Sequence, residues 1–257
     1  MKNPLPPPGP ADVGIVAALP IEIGPLIDLL RDVRTYSAPE GSDRPIVEGM
    51  LGSKLVAVVV AGVGRSRAGR GARRLIGGHR PTWVVSAGFG GALDPALKRN
   101  DVLFATEIVD GADPDAPPLA IDLTPPESPA GSGFRYTSGR LLTASKIVRT
   151  ADEKAALRGR FSADVVDMET AAVASICADR GQRFLAIRVI SDEAGTDLPA
   201  EVITVMGPTG GFRLGATLGA LWKRPGSVKD LWALREHAIE AADRLAEVLP
   251  GILAQLP

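Results

Sequence analysis

Five short runs, apolar at most positions and rich in β-branched residues, limit what this chain can fold into: VGIVAAL (13–19), KLVAVVVAG (54–62), TWVVSAG (82–88), DVLFATEIV (101–109) and RFLAIRVIS (183–191). A strand with one wet face alternates apolar and polar residues. A strand without that alternation is covered on both faces, as in a central sheet between helices. Helical patterns follow several of these runs: IEIGPLIDLLRDV (21–33), SRAGRGARRLIG (66–77) and METAAVASICADRG (168–181), the last ending on Gly181, a residue suited to the position after a helix. The final pattern, SVKDLWALREHAIEAADRLAEVL (227–249), sets Leu231, Leu234, Ala238, Ala242 and Leu245 on one stripe. The alternation predicts an α/β fold: a single-domain three-layer α/β/α arrangement around a central mixed, mostly parallel sheet. Residues 1–12 read as a flexible Pro-rich arm, and 13–257 as the domain. Within it, 111–133 is a Pro/Gly-rich surface excursion and about 198–226 an insertion.

Charge and rare residue types exclude several classes of function. The net charge is −1, so no bulk attraction to nucleic acid or anionic lipid is expected. The arginines of GRSRAGRGARR (64–74) fit a solvated helix face better than a nucleic-acid patch. Cys177 is the only cysteine; it lies in an apolar stretch and reads as a buried, inert thiol. His79 sits in the loop-like GGHRP and His237 in a charged helix, so neither a Ser-His-Asp triad nor a His-rich metal site is expected. No metal and no cofactor is expected. No stretch approaches the ~20 apolar residues of a membrane span, and the early apolar run is too short and too late for a signal peptide. A cytoplasmic protein is the expectation.

In α/β sheets ligands bind beyond the carboxyl ends of strands. Glu22 follows the first run, SAGFGGAL (86–93) ends the third, and Ser191 and Asp192 end the fifth. VVDMETAAVAS (165–175) puts Asp167 and Glu169 on either side of Met168 where a core helix begins. A buried carboxylate is unfavourable unless it is paired or hydrogen-bonded. Each feature has a plain alternative: an acidic residue near a helix start, a capping residue, or glycines for a tight turn. AGVGRSRAG (61–69) lacks the G-x-G-x-x-G spacing of a dinucleotide loop.

Taken in order, GIVAALPIEI, AGVG, SAGFGGALDPALKRNDVL, VVDMETAAVASIC and AIRVISDEA resemble the nucleoside phosphorylase/nucleosidase superfamily, most nearly its methylthioadenosine/S-adenosylhomocysteine nucleosidase branch. The resemblance implies that Glu169 grips the two ribose hydroxyls while Met168 packs on the sugar. It implies that Asp192 is the general acid that protonates the purine at N7, that Ser191 orients it, and that Glu22 holds and activates a water. Ala87, Gly88 and Phe89 would floor the pocket, and Ile147 and Val148 would lie along the base edge. Asp167 is expected to pair with an arginine such as Arg188. The partner implied is a small-molecule nucleoside, and the assembly a homodimer.

The match departs from that branch in three places. Thr143, Ala144, Ser145, Lys146 and Ile147 replace a Ser-Gly-Asp-aromatic stretch, so the aromatic stack on the purine is lost. Phe89 stands where a small polar residue is common. The segment 198–226 lengthens the chain, and it is expected either to cap the 5′ end of the substrate or to complete the core or a dimer interface. The expected activity is hydrolysis of the N-glycosidic bond of 5′-modified adenosines, releasing adenine. The alternatives are a hopanoid-associated phosphorylase-type enzyme acting on adenosylhopane, and a nucleoside-binding protein without catalysis.

Overall fold

The five apolar runs become the strands β1 (Val13–Ala17), β4 (Lys54–Val60), β5 (Trp83–Ala92), β6 (Val102–Asp110) and β10 (Arg183–Asp192). The computed structural model describes residues 7–37, 44–121, 133–199 and 227–257. Val13, Ile15, Val56, Val85, Leu185 and Ile187 from these strands are buried in one core. The expected helices form as α1 (Pro20–Asp28), α2 (Arg65–His79), α4 (Thr170–Asp179) and α5 (Ser227–Ala254). The remaining elements are the strands β2 (Arg31–Tyr36), β3 (Ile46–Leu51), β7 (Leu119–Ala120), β8 (Tyr136–Thr143) and β9 (Val165–Asp167), and the helix α3 (Ala151–Phe161).

β1 pairs in parallel with β4 and β5, and β5 pairs in parallel with β10 from Trp83 to Gly91. β6–β8 and β8–β9 are also parallel, while β10–β6, β3–β4, β2–β3 and β5–β9 are antiparallel. Helices cover both faces. α1 and α5 pack on one side, where Leu26, Leu245 and Leu249 join the strand residues. On the other side α2 and α4 contribute Leu75, Val173 and Cys177 to a second core. This is the expected three-layer arrangement, but the sheet is not simply open. β9 pairs with Gly91 and Ala92 at the end of β5, so β5, β10, β6, β8 and β9 form a closed ring.

Several local expectations change. The helix read over 21–33 stops at Asp28, and the chain from Arg31 runs as an edge strand paired with β3. Asp32 has φ +54° and the register shifts there, so tertiary pairing overrides the helical spacing. The glycines of SAGFGGAL make no turn; β5 runs through them to Ala92. His79 is the last residue of α2 rather than a loop residue, and it is buried. The last residues of the Pro-rich arm are tied to the domain: the Ala11 amide donates to the His79 carbonyl and the Asp12 carboxylate accepts from the Leu55 amide. Of the stripe on the last helix, Ala242 and Leu245 are buried. Cys177 is buried, and desolvation pushes its thiol up to about 12, in keeping with an inert sulfur. Residues 200–226, most of the expected insertion, lie outside the described residues.

Gly90 shows why β5 is glycine-rich. A Cβ placed there would sit 2.5 Å from Val165 Cγ1 on β9 and 3.3 Å from Arg188 Cβ on β10. The ring closes only because this position has no side chain. Gly90→Ala is expected to lower the unfolding free energy by about 1–3 kcal/mol, the usual range for overpacking a filled core. Urea unfolding followed by circular dichroism measures it, and an unchanged midpoint would show that the ring has room to spare.

Candidate active site

A cavity opens where β1 ends, beside the middle of β5. Val16, Ala17, Ala18, Glu22, Ser86, Ala87, Gly88, Phe89, Glu169 and Arg188 line it. Glu22 lies in the first turn of α1 and points back toward the strands. Its Oε2 accepts from the Ala18 amide at 2.9 Å and the Leu19 amide at 2.7 Å. Its Oε1 accepts from the Phe89 amide at 3.1 Å. A Cβ on Gly88 would meet that oxygen at 2.8 Å, so the bare backbone of β5 is what admits the carboxylate. Burial raises the Glu22 pKa; the three amides and the Arg188 charge act in the opposite direction without cancelling it. A carboxylate with a raised pKa is a stronger base, and these amides hold it in one orientation.

The two carboxylates around Met168 have separate tasks. Asp167 ends β9 and faces inward. Its Oδ2 accepts from Arg188 Nη2 at 2.7 Å, Arg188 Nε at 3.2 Å and the Thr170 amide at 3.0 Å, and from the Thr170 hydroxyl. Its Oδ1 accepts from the Thr143 hydroxyl at 2.7 Å. Thr143 Oγ1 in turn accepts from the Ala171 amide at 2.9 Å. Arg188 also donates to the Ser86 carbonyl at 2.8 Å, the Ser86 hydroxyl at 2.8 Å and the Ile187 carbonyl at 2.7 Å. The expected Asp167–Arg188 pair is therefore present, buried and fully bonded.

Glu169 turns toward the cavity instead. Its Oε1 accepts from the Gly64 amide at 2.6 Å, and its Oε2 accepts from the Met168 amide at 3.2 Å. Burial, and then the negative charges of Asp167 and Glu22, push its carboxyl up to about 8, against the Gly64 amide and Arg188.

Asp192 lies at the end of β10 opposite Gly91, three residues along β5 from Gly88. The Ser191 hydroxyl donates to Asp192 Oδ1 at 2.7 Å. Lys154 Nζ lies 2.6 Å from the other oxygen, Oδ2. That lysine is wholly buried, and no feature of its helical stretch distinguished it from a surface residue in the sequence.

The structure brings Glu22, Ala87, Gly88, Phe89 and Glu169 around one cavity; Ser191 and Asp192 lie outside its lining, at the end of the neighbouring strand β10. It does not bring Met168, Ile147 or Val148 into the lining. Val148 is partly buried and packs against the core formed by Leu93, Val109, Leu142 and Val166. Thr143, read as a departure in the base pocket, is buried under α4 as a support of Asp167. Sequence reasoning missed Thr143, Thr170, Ser86 and Lys154 as functional supports. A threonine at the first position of a helix after an aspartate was the one available signal.

A sequence model described as the Phosphorylase superfamily matches residues 12–207. The 5′-methylthioadenosine/S-adenosylhomocysteine nucleosidase of Haemophilus ducreyi is 27% identical over 201 residues, 71% of this chain and 85% of the relative. A nucleosidase of the same description from Colwellia psychrerythraea, solved in complex with adenine, has a TM-score of 0.71 at 20% identity and covers 98% of this chain and 96% of its own. Futalosine hydrolase of Helicobacter pylori strain 26695 has a TM-score of 0.67 at 21% identity, covering 97% and 98%. At these identities the structural matches establish the shared fold.

The raised pKa of Glu169 makes stability depend on pH. The folded-state value, about 8, lies above the ordinary 4.5, so folding favours the protonated form. That contribution is complete below about 4.5 and is lost as pH rises through about 8. Glu169→Gln keeps an acceptor for the Gly64 amide and cannot ionise. Its melting temperature is expected to rise relative to the parent protein as pH goes from 5 to 8. Parallel melting curves at several pH values test this, and a constant difference would mean that Glu169 is already ionised at pH 5.

Proposed function

Because the chain belongs to the phosphorylase superfamily, we propose that it is a purine nucleoside N-ribosyl hydrolase that releases adenine from 5′-modified adenosines of the methylthioadenosine and S-adenosylhomocysteine type. The observation that carries this reading is the meeting of Glu22 and Glu169 in one cavity where Arg188, the only lining cation among the described residues, is already engaged by Asp167, Thr170 and backbone carbonyls.

The chemistry follows from those groups. Glu169 accepts hydrogen bonds from the two ribose hydroxyls, as an acceptor-only carboxylate can. Those donors favour its ionised form, so a proton leaves the site as substrate binds. The C1′–N9 bond breaks with its electron pair moving onto the purine, and Asp192 delivers a proton to N7. A positive charge develops on the sugar, and the anionic Glu169 stabilises it. Water held by Glu22 adds its oxygen to C1′ and passes a proton to the Glu22 carboxylate. Adenine and the free sugar leave, and solvent exchange returns the proton from Glu22 to Asp192. One carboxyl acts as acid and another as base, as in inverting glycosidases.

Water rather than phosphate fits the cavity. A phosphate dianion needs cationic donors, yet Arg188 Nε, Nη1 and Nη2 all have partners. Glu22 adds like-charge repulsion. The proposal extends to a homodimer in the cytoplasm, which the resemblance to nucleosidases supports. No helix among the described residues is long and apolar enough to cross a membrane.

Adenine release from 5′-methylthioadenosine, S-adenosylhomocysteine and adenosine, each with and without phosphate, tests this reading. Release should be independent of phosphate and yield the free sugar. Strict dependence on phosphate, with a sugar 1-phosphate as product, would replace hydrolysis by phosphorolysis, and no release from any nucleoside would leave a binding protein. Asp192→Asn keeps a polar group but no deliverable proton. It is expected to slow release by roughly 10²–10⁴-fold, the usual worth of a general acid, while nucleoside binding by calorimetry persists.

A further inference from the structure

Lysine is almost never fully buried unless it is paired, yet Lys154 on α3 has no exposed side-chain surface. Its ammonium has three neighbours. It donates to the Glu193 carbonyl at 2.7 Å and the Thr196 carbonyl at 2.9 Å, and it lies 2.6 Å from Asp192 Oδ2. The same end of α3 holds the rest of the turn that follows Asp192. The Ala151 amide donates to Asp197 Oδ1 at 2.8 Å, the Leu198 amide to the Arg149 carbonyl at 2.8 Å, and Arg149 Nη1 to the Leu198 carbonyl at 3.1 Å.

We propose that Lys154 is the positioning residue of the general acid: it fixes the Asp192 carboxyl and the turn behind it for proton delivery to the purine. This rests on the role of Asp192 given above. Two features separate it from a lysine that only ties down a loop. The two carbonyls satisfy the loop, whereas the third contact goes to the carboxyl group. That contact lies outside hydrogen-bond geometry, and Oδ2 accepts no hydrogen bond from the described residues while Oδ1 accepts from Ser191. Lys154 therefore acts on the buried Oδ2 through charge rather than through a hydrogen bond. When the proton moves from Asp192 to N7, a carboxylate is left beside a cation already in place. A fixed charge facing the point where the opposite charge develops stabilises the transition state without reorganisation.

The test compares leaving groups. Adenine must be protonated to leave; 4-nitrophenolate leaves as an anion. Lys154→Met and Lys154→Gln are assayed on 5′-methylthioadenosine and on the 4-nitrophenyl riboside carrying the same 5′ group. The kcat for adenine release should fall roughly 10–100-fold with little change in KM, and nitrophenol release should stay within about twofold of the parent protein. Equal losses on both substrates, or no loss of adenine release, would overturn the proposal and leave the hydrolase reading intact. A parent protein that releases no adenine would overturn both. If neither variant folds, a crystal structure of the parent protein with adenine decides. Lys154 Nζ within hydrogen-bond reach of an Asp192 carboxyl that also reaches N7 supports the role, and a lysine turned away from it refutes it.

Discussion

The ion pair between Arg188 and Asp167 is the contact on which the rest of the site depends. It joins β10 to β9, and through the Ser86, Thr143 and Thr170 bonds it also engages β5, β8 and α4. Burying two charges is unfavourable by several kcal/mol per ion unless every remaining donor and acceptor is met. Here they are met. Removing any member leaves a charge or a polar group without its partner in a closed interior, so the five elements are held in one relative placement. Glu169, two residues after Asp167, inherits its position from that clamp.

A second consequence is electrostatic. Glu22, Asp167 and Glu169 lie close enough that the negative charges of the other two raise the Glu169 pKa, and Arg188 alone among the cavity-lining residues opposes them. Burial acts first on both glutamates, but their supports differ. Glu22 has three backbone amides that fix it as an acceptor, while Glu169 has two. Such a site repels a free anion and welcomes hydroxyl donors and developing positive charge, the properties of a sugar losing its base. Three residues further along the glycine-rich strand the balance reverses, because Asp192 stands beside a buried cation. One strand thus separates a carboxyl in a negative setting from a carboxyl in a positive one.

Much of the fold was legible. The five doubly apolar runs mark strands because burial on both faces removes alternation, and four helices follow from 3.6-residue spacing and their end residues. The edge strand Arg31–Tyr36 was not legible: it is exposed along most of its length and its residues suit a helix as well as a strand. β9 is three residues long and is defined by pairing with β5 and β8, not by a pattern of its own. The closure of the ring was invisible for the same reason.

The site divides in the same way. Glu22, Glu169 and Asp192 were candidates because they are carboxylates at the ends of apolar runs, each with a plain alternative, and the resemblance to the nucleosidases gave them their expected roles. The sequence by itself therefore determined the layer architecture, and it offered the candidate carboxylates and the pairing of Asp167 with an arginine. The tertiary structure decided that Thr143 supports Asp167, that Val148 packs against the core, that Gly88 and Gly90 are glycines for close approach rather than for a turn, and that Lys154 reaches Asp192. Each of these depends on which atoms meet across strands far apart in the chain. Hydrophobic period and end-residue chemistry report only on neighbours a few positions away, so they carry no record of those meetings.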